Sequence, residues 1–299
     1  MDTVPVCFVQ NVIRTMVWLN LPPIKQLKQL TKLTSYFGSY ASFYDENAVI
    51  RMAFVKNGRI EHFIYDEEGE SYKPIEEVKR RYVTSMAFEF CGEEEGDPEV
   101  DTAALADVLR QVGGKPPLAL TLETTRLSEN VLHFLLTCNT IELWLDVTVE
   151  GAASTLLSKL IAKGRLVFCG ASEGELNEET SQALLDLLDQ DQFQYLKIGC
   201  YRTARRVLDH WKSAKAKVGR YIDVTVRPGD SPEFVKELLS SRAEVTSREE
   251  KLAIYSKLPY LSDVSASLYE WKSFHNRRRV YFNYYPNLDS TSLISFGAI

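Results

Sequence analysis

From about residue 84 onward the chain alternates short strand-like runs with helical stretches. This alternation limits the folds open to it more than any other feature. The runs are "SMAFEF", "LALTLE", "IELWLD", "RLVFC", "QYLKIG" and "RYIDVTV", and they start roughly 23 to 32 residues apart, one strand and one helix per interval. Helix signals fill the gaps. Asp101 stands where it can cap a helix with Leu105, Val108, Leu109 and Val112 on its inner stripe, stopped at Gly113-Gly114. Asn177 precedes a stretch carrying Leu184, Leu185, Leu187 and Leu188. Ser231 lies before Pro232 at a first helical position, and Ser247 with Glu250 has the spacing of a capping box.

Two α/β architectures share this order, a doubly wound sheet and a curved solenoid. A doubly wound sheet is covered on both faces, so its strands read as continuous apolar runs. These strands alternate instead. Phe88 and Phe90 flank Glu89, Leu118, Leu120 and Leu122 flank Ala119 and Thr121, and Ile141, Leu143 and Leu145 flank Glu142 and Trp144. Leu196 and Ile198 flank Lys197, and Ile222, Val224 and Val226 flank Asp223 and Thr225. The pattern predicts a leucine-rich-repeat-like βα solenoid with parallel strands, helices on one side and the other face open to water.

The rest of the chain frames that region. Residues 1–45 read as helical, with Leu27, Leu30, Leu33 and Phe37 at helical spacing after Pro22-Pro23. Residues 46–83 hold two β-rich runs joined by Asn57-Gly58, a pair suited to a type I′ turn because both positions need positive φ, and then a short helix. The βα repeat region spans 84–230. Residues 231–299 supply helices and a β-hairpin around His275-Asn276-Arg277-Arg278, which would cap the open end of a repeat stack.

A net charge of −6 argues against a general nucleic-acid binder, and the clusters Arg205-Arg206 and Arg277-Arg278-Arg279 read as solvated faces. The first residues lack the basic start and unbroken apolar run of a signal peptide, and no segment has the ~18 apolar residues of a membrane span. Five cysteines without CxxC spacing fit a reducing compartment, so a cytoplasmic or nuclear protein is expected.

"FEFCG" at 88–92 and "LVFCG" at 166–170 raise the question of a shared metal or redox site. In the repeat register Cys91 and Cys169 take the same phase on the open face, three strands apart. At ~4.8 Å per strand they would be ~14 Å apart, too far for a disulfide or a common zinc ion. The echo reads as a repeat signature, and Cys200 as a small core residue. His62, His133, His210 and His275 are scattered over different elements. "GGKPP" lacks the following Ser or Thr and the N–H groups of a phosphate loop. No catalytic residue, metal or cofactor is implied, although an enzyme on an α/β scaffold is a competing class.

The open face is where function is expected. Strand alternation lines up Glu89, Thr121, Trp144, Val167, Lys197 and Asp223 in one row. Glu123, Asp146, Cys169 and Thr225 fall in a second, and Tyr195, Tyr221 and Arg165 in a third. Exposed aromatic residues among charges resemble a protein-binding surface, with Glu89, Trp144, Arg165, Tyr195, Lys197, Tyr221 and Asp223 as the contact residues.

The N-terminus adds a resemblance. "VPVCFVQNVI", then Pro22-Pro23 and "LKQLTKLTSYFGSYASFY", resembles a degenerate F-box. With the "VKNGRI" hairpin and the Trp-containing C-terminal hairpin, it is similar to a nematode-expanded family of F-box-type proteins. The resemblance implies that Val4, Pro5, Phe8, Val12, Ile13, Leu27, Leu30 and Leu33 match box positions that contact the small cullin-linked adaptor or form the box core. Phe37 or Tyr40 replaces the usual tryptophan, and residues 11–21 fit the pattern poorly. The family implies a non-catalytic, substrate-recruiting subunit of a cullin ubiquitin ligase, whose partners are that adaptor and an unknown protein substrate. A stand-alone binding protein with a non-functional box is the alternative.

Overall fold

The computed structural model describes residues 30–33, 36–47, 49–66, 83–92, 99–111, 117–171, 176–211, 219–226, 236–237, 240, 242–258, 261, 267–271, 279–285 and 292–298. It is α/β, with twelve strands and seven helices among the described residues. The chain forms two compact units, Met1–Thr121 with Ser128–Thr140, and Leu122–Leu127 with Ile141–Ile299.

In the first unit the helix α1 (Tyr36–Asn47) leads into strands β1 (Val49–Lys56) and β2 (Arg59–Asp66). Then follow β3 (Val83–Phe90), α2 (Thr102–Gln111), β4 (Leu118–Leu122) and α3 (Glu129–Thr137). The strands run β2-β1-β3-β4. Asn57 and Gly58 turn the β1–β2 hairpin with φ of 52° and 67°, the two positive values a type I′ turn requires. The hairpin joins the sheet through β1, which lies parallel to β3. Alternation fills the core from β1 (Ala53, Val55), β3 (Met86, Phe88, Phe90) and β4 (Leu118, Leu120), with Leu105 and Val108 of α2 also buried.

Arg51 lies within this unit. Its guanidinium reaches the Val108 carbonyl at 3.4 Å, Gln111 Oε1 at 2.8 Å and His62 Nδ1 at 3.2 Å, fastening the hairpin to α2. Burial, and then the Arg51 charge, lower the His62 pKa. At the start of α2, Asp101 Oδ1 accepts the Ala103 N–H at 2.9 Å, as its capping position predicts.

The expected leucine stripe of the N-terminal box is interrupted. Residues 31–33 form a turn, with the Leu33 N–H bonded to the Leu30 carbonyl at 3.0 Å, and α1 begins afresh at Tyr36. A Cβ on Gly38 would overlap the Leu33 carbonyl, so a glycine is needed where the turn folds against α1. Leu30 and Leu33 therefore do not share one helical face with Phe37, and Leu33 is 49% exposed.

The second unit begins with β5 (Thr140–Leu145), α4 (Gly151–Ala162), β6 (Phe168–Ala171), α5 (Glu178–Leu188), β7 (Tyr195–Ile198), α6 (Tyr201–His210) and β8 (Tyr221–Val226). Strands β5, β6, β7 and β8 are successive parallel neighbours. Asn177 caps α5, its Oδ1 accepting the Thr180 N–H at 2.7 Å. The far end of α5 is closed by buried Arg220, which donates to the carbonyls of Leu188 at 2.8 Å, Gln190, and Asp191 at 3.4 Å. This answers the unpaired carbonyls of a helix C-terminus.

The tail contains β9 (Arg242–Glu244), α7 (Arg248–Lys257), β10 (Ser267–Trp271), β11 (Val280–Tyr285) and β12 (Ser292–Ala298). It thus adds two strands, β9 and β12, to the expected helices and hairpin. Ser247 caps α7 by accepting the Glu250 N–H at 3.3 Å. Strands β10 and β11 pair antiparallel as expected, while β12 lies between β8 and β11, giving the order β5-β6-β7-β8-β12-β11-β10-β9.

One face of β7 and β8 buries Leu196, Ile198, Ile222 and Val224 completely. The opposite face is not helix-free, contrary to the expectation of helices on one side. Ile254 and Tyr255 of α7, with Leu258 and Leu261, form a core cluster with Tyr221, Leu268 and Tyr281 on it. The reason is chemical. On this face Tyr221 and Tyr281 are aromatic and Leu268 is apolar, and α7 buries them.

Candidate functional site

The face that carries Tyr221 also carries the residues expected to meet a partner, and its register can be read strand by strand. One row runs Glu142, Phe168, Tyr195, Tyr221 and Gly297 across β5, β6, β7, β8 and β12. The next runs Trp144, Gly170, Lys197, Asp223 and Ser295. Tyr221 is 4% exposed beneath the α7 cluster, so this predicted contact residue is a core residue instead. Around Tyr195 the face is half-buried at Glu142, Trp144, Lys197, Asp223 and Tyr195 itself, with Phe168 and Gly170 buried on β6.

Gly170 sets the shape of this part. Any Cβ there would overlap the six-membered ring of Trp144, so the indole lies directly on the β6 backbone. The indole N–H donates to Glu142 Oε1. Tyr195 stands between aromatic neighbours, its ring centroid 6.2 Å from that of Trp144 and 5.8 Å from that of Phe168. Its hydroxyl donates to Asp223 Oδ2 at 2.6 Å. Lys197 Nζ lies over the Trp144 ring, 5.7 Å from its centroid, a cation–π distance.

Both carboxyls are held above their ordinary range. Burial pushes the Glu142 pKa up, against a smaller opposing effect of the Trp144 N–H. Burial also raises Asp223, opposed by the hydrogen bonds from Tyr195 and Ser295 and by the Lys197 charge. The result is an aromatic platform edged by an amine and two half-buried carboxyls, able to offer stacking, cation–π and hydrogen-bond contacts.

Tyr195, Trp144, Lys197 and Asp223 are thus brought together in the second unit. The other expected contacts are not part of this cluster. Glu89 is half-buried on β3 of the first unit, and Arg165 is exposed in the turn between α4 and β6. The predicted row through Val167 is off by one residue. Phe168 and Gly170 face the site, whereas Cys169 is fully buried on the opposite side, paired with Leu143 and Leu196, and burial pushes its thiol up to about 12. Cys91, Cys138, Cys169 and Cys200 are free thiols. Sequence reasoning missed Glu142, Phe168, Gly170 and Ser295 as members of the site. Glu142 was detectable, since it lies two residues before Trp144 and shares its face.

Of the residues that the box resemblance singled out, Val4, Pro5, Phe8, Val12, Ile13 and Leu27 lie outside the described residues. Leu30 is half-buried and Leu33 exposed. Compared with known proteins, the chain matches no family model, no curated protein and no solved structure.

Proposed function

We propose that this chain is a non-catalytic protein-binding protein on a leucine-rich-repeat-like βα framework, and that it holds a polypeptide partner on the half-buried face around Trp144 and Tyr195. One observation carries the reading: two adjacent rows of the sheet present Trp144, Tyr195, Lys197 and Asp223 together, the mixture of rigid aromatics and charge that anchors protein interfaces. With the resemblance of residues 1–45 to an F-box, the role would be recruitment of a protein substrate to a cullin ubiquitin ligase. The turn at residues 31–33, which breaks the leucine stripe, favours the second reading, a stand-alone binding protein whose box no longer engages the adaptor.

Two measurements test this. A photo-crosslinking amino acid at position 197 should trap a polypeptide, while the same group at exposed Lys159 on α4 should not. Equal trapping at both positions would defeat the binding-face reading. Direct titration with purified cullin-linked adaptor then separates the two roles. Saturable binding that is lost when residues 1–45 are deleted supports recruitment, and no binding by the full chain leaves the stand-alone protein.

A further inference from the structure

The charges on this face do not balance. The two rows carry two carboxyls, Glu142 and Asp223, against one ammonium, that of Lys197, and exposed Asp146 follows two residues after Trp144 in the same alternation. Lys197 already serves two groups, the Trp144 ring and the Asp223 carboxyl. Glu142 receives only a neutral donor, the indole N–H, and no cation among the described residues offsets its charge. A carboxylate withdrawn from water without a counter-charge is costly, and a cation brought beside it recovers that cost. The indole is the strongest of the side-chain cation–π platforms, and here it is fixed in place by Gly170 beneath it.

Resting on the polypeptide-binding reading above, we infer that the partner presents a basic stretch. One of its lysine or arginine side chains seats over the Trp144 ring on the side of Glu142, displacing Lys197 from the ring. Lys197 acts as a resident stand-in: it shows that a cation fits over the ring, and it swings toward Asp223 when the guest arrives. Removing Lys197 therefore strengthens binding instead of weakening it, the opposite of what an ordinary contact residue would do.

The test is to pan phage-displayed random dodecapeptides on the full chain and measure one enriched peptide by fluorescence anisotropy. Lysine and arginine are expected to be enriched over the starting library, with capture falling as sodium chloride rises. For that peptide, Lys197→Ala should bind about threefold tighter, and Trp144→Phe about threefold weaker, in keeping with cation–π strengths. Glu142→Gln should weaken it by roughly tenfold, as loss of a half-buried charge partner does. Unchanged thermal midpoints would show that the variants are folded. Neutral or acidic enriched peptides whose capture still falls in Trp144→Phe would overturn the cationic seat and leave the binding face standing. Peptides indifferent to Trp144, or no enrichment at all, would overturn both.

Discussion

Gly170→Ala is the sharpest probe of the face, because alanine differs from glycine there by one methyl group aimed at one ring. The backbone itself accepts alanine: Gly170 is not among the positive-φ glycines, and it sits in regular parallel register between Trp144 and Lys197. On backbone grounds alone the change should stabilise by about 0.5–1 kcal/mol, the entropic penalty of glycine inside a strand. The new Cβ, however, occupies the space of the Trp144 ring. The indole must lift, losing its bond to Glu142 and its place beside Tyr195. Forcing an extra methyl into a packed site costs about 1–3 kcal/mol. The net expectation is a loss of about 1–2 kcal/mol.

In a Trp144→Ala background the clash is absent, so the same substitution should become stabilising by about 0.5–1 kcal/mol. The coupling in the four-member cycle is then about 1.5–3 kcal/mol, well above the few tenths expected of independent sites. Urea unfolding of the four proteins followed by circular dichroism reads it directly, given equal m-values. An equal cost of Gly170→Ala in both backgrounds would refute the reasoning, since the penalty would then lie in the backbone. So would no cost in the parent protein, since the ring would not be resting on Gly170.

Three further outcomes are expected. Tyr221→Ala should cost about 3–5 kcal/mol in chemical unfolding, as loss of a buried aromatic does, because Tyr221 packs with Ile254, Tyr255, Leu258 and Tyr281; a near-neutral result would return it to the surface. Asp223 has a raised pKa, so the folded state holds its proton more tightly than the unfolded chain, and stability falls as pH climbs from the ordinary aspartate value through the raised one. Asp223→Asn should therefore raise the thermal midpoint at neutral pH and not below the ordinary aspartate range; a parallel offset at every pH would contradict this. Alkylation of the native protein, mapped by peptide mass, should spare Cys169, buried with its thiol up near 12, and reach half-buried Cys91 sooner; equal rates would place Cys169 in the wrong environment.

The strands with clean alternation were legible in the sequence, and the one without it was not. In β5, β7 and β8 polar residues separate the apolar ones, so Trp144, Lys197 and Asp223 fall on one face by counting. Across "LVFCGA" every residue is buried, because Phe168 packs under Tyr195 while Cys169 faces the opposite side. A run with no polar position carries no phase, and a slip of one residue exchanges the faces. The β1–β2 hairpin was legible because Asn57-Gly58 encodes its own turn. The cover over Tyr221 was not, since α7 reaches it across some thirty residues of sequence and nothing local marks which sheet face a helix will choose. Strand β12 was overlooked although Ile294, Phe296 and Ala298 alternate with Ser295 and Gly297, since its partner β8 lies far back in the chain.

The placement of β12 has a consequence for how the second unit can be completed during synthesis. Strands β8, β9, β10 and β11 all leave the ribosome before β12, yet β12 is the strand that joins β8 to β11. Until Ala298 has emerged, the β9-β10-β11 strip has no place on the sheet, and β8 keeps a bare row of amide and carbonyl groups along one edge. A nascent chain stalled short of β12 is thus an adhesive chain, with the β8 edge bare and an unburied aromatic strip, whereas in a chain that includes β12 the edges of β8 and β11 are paired.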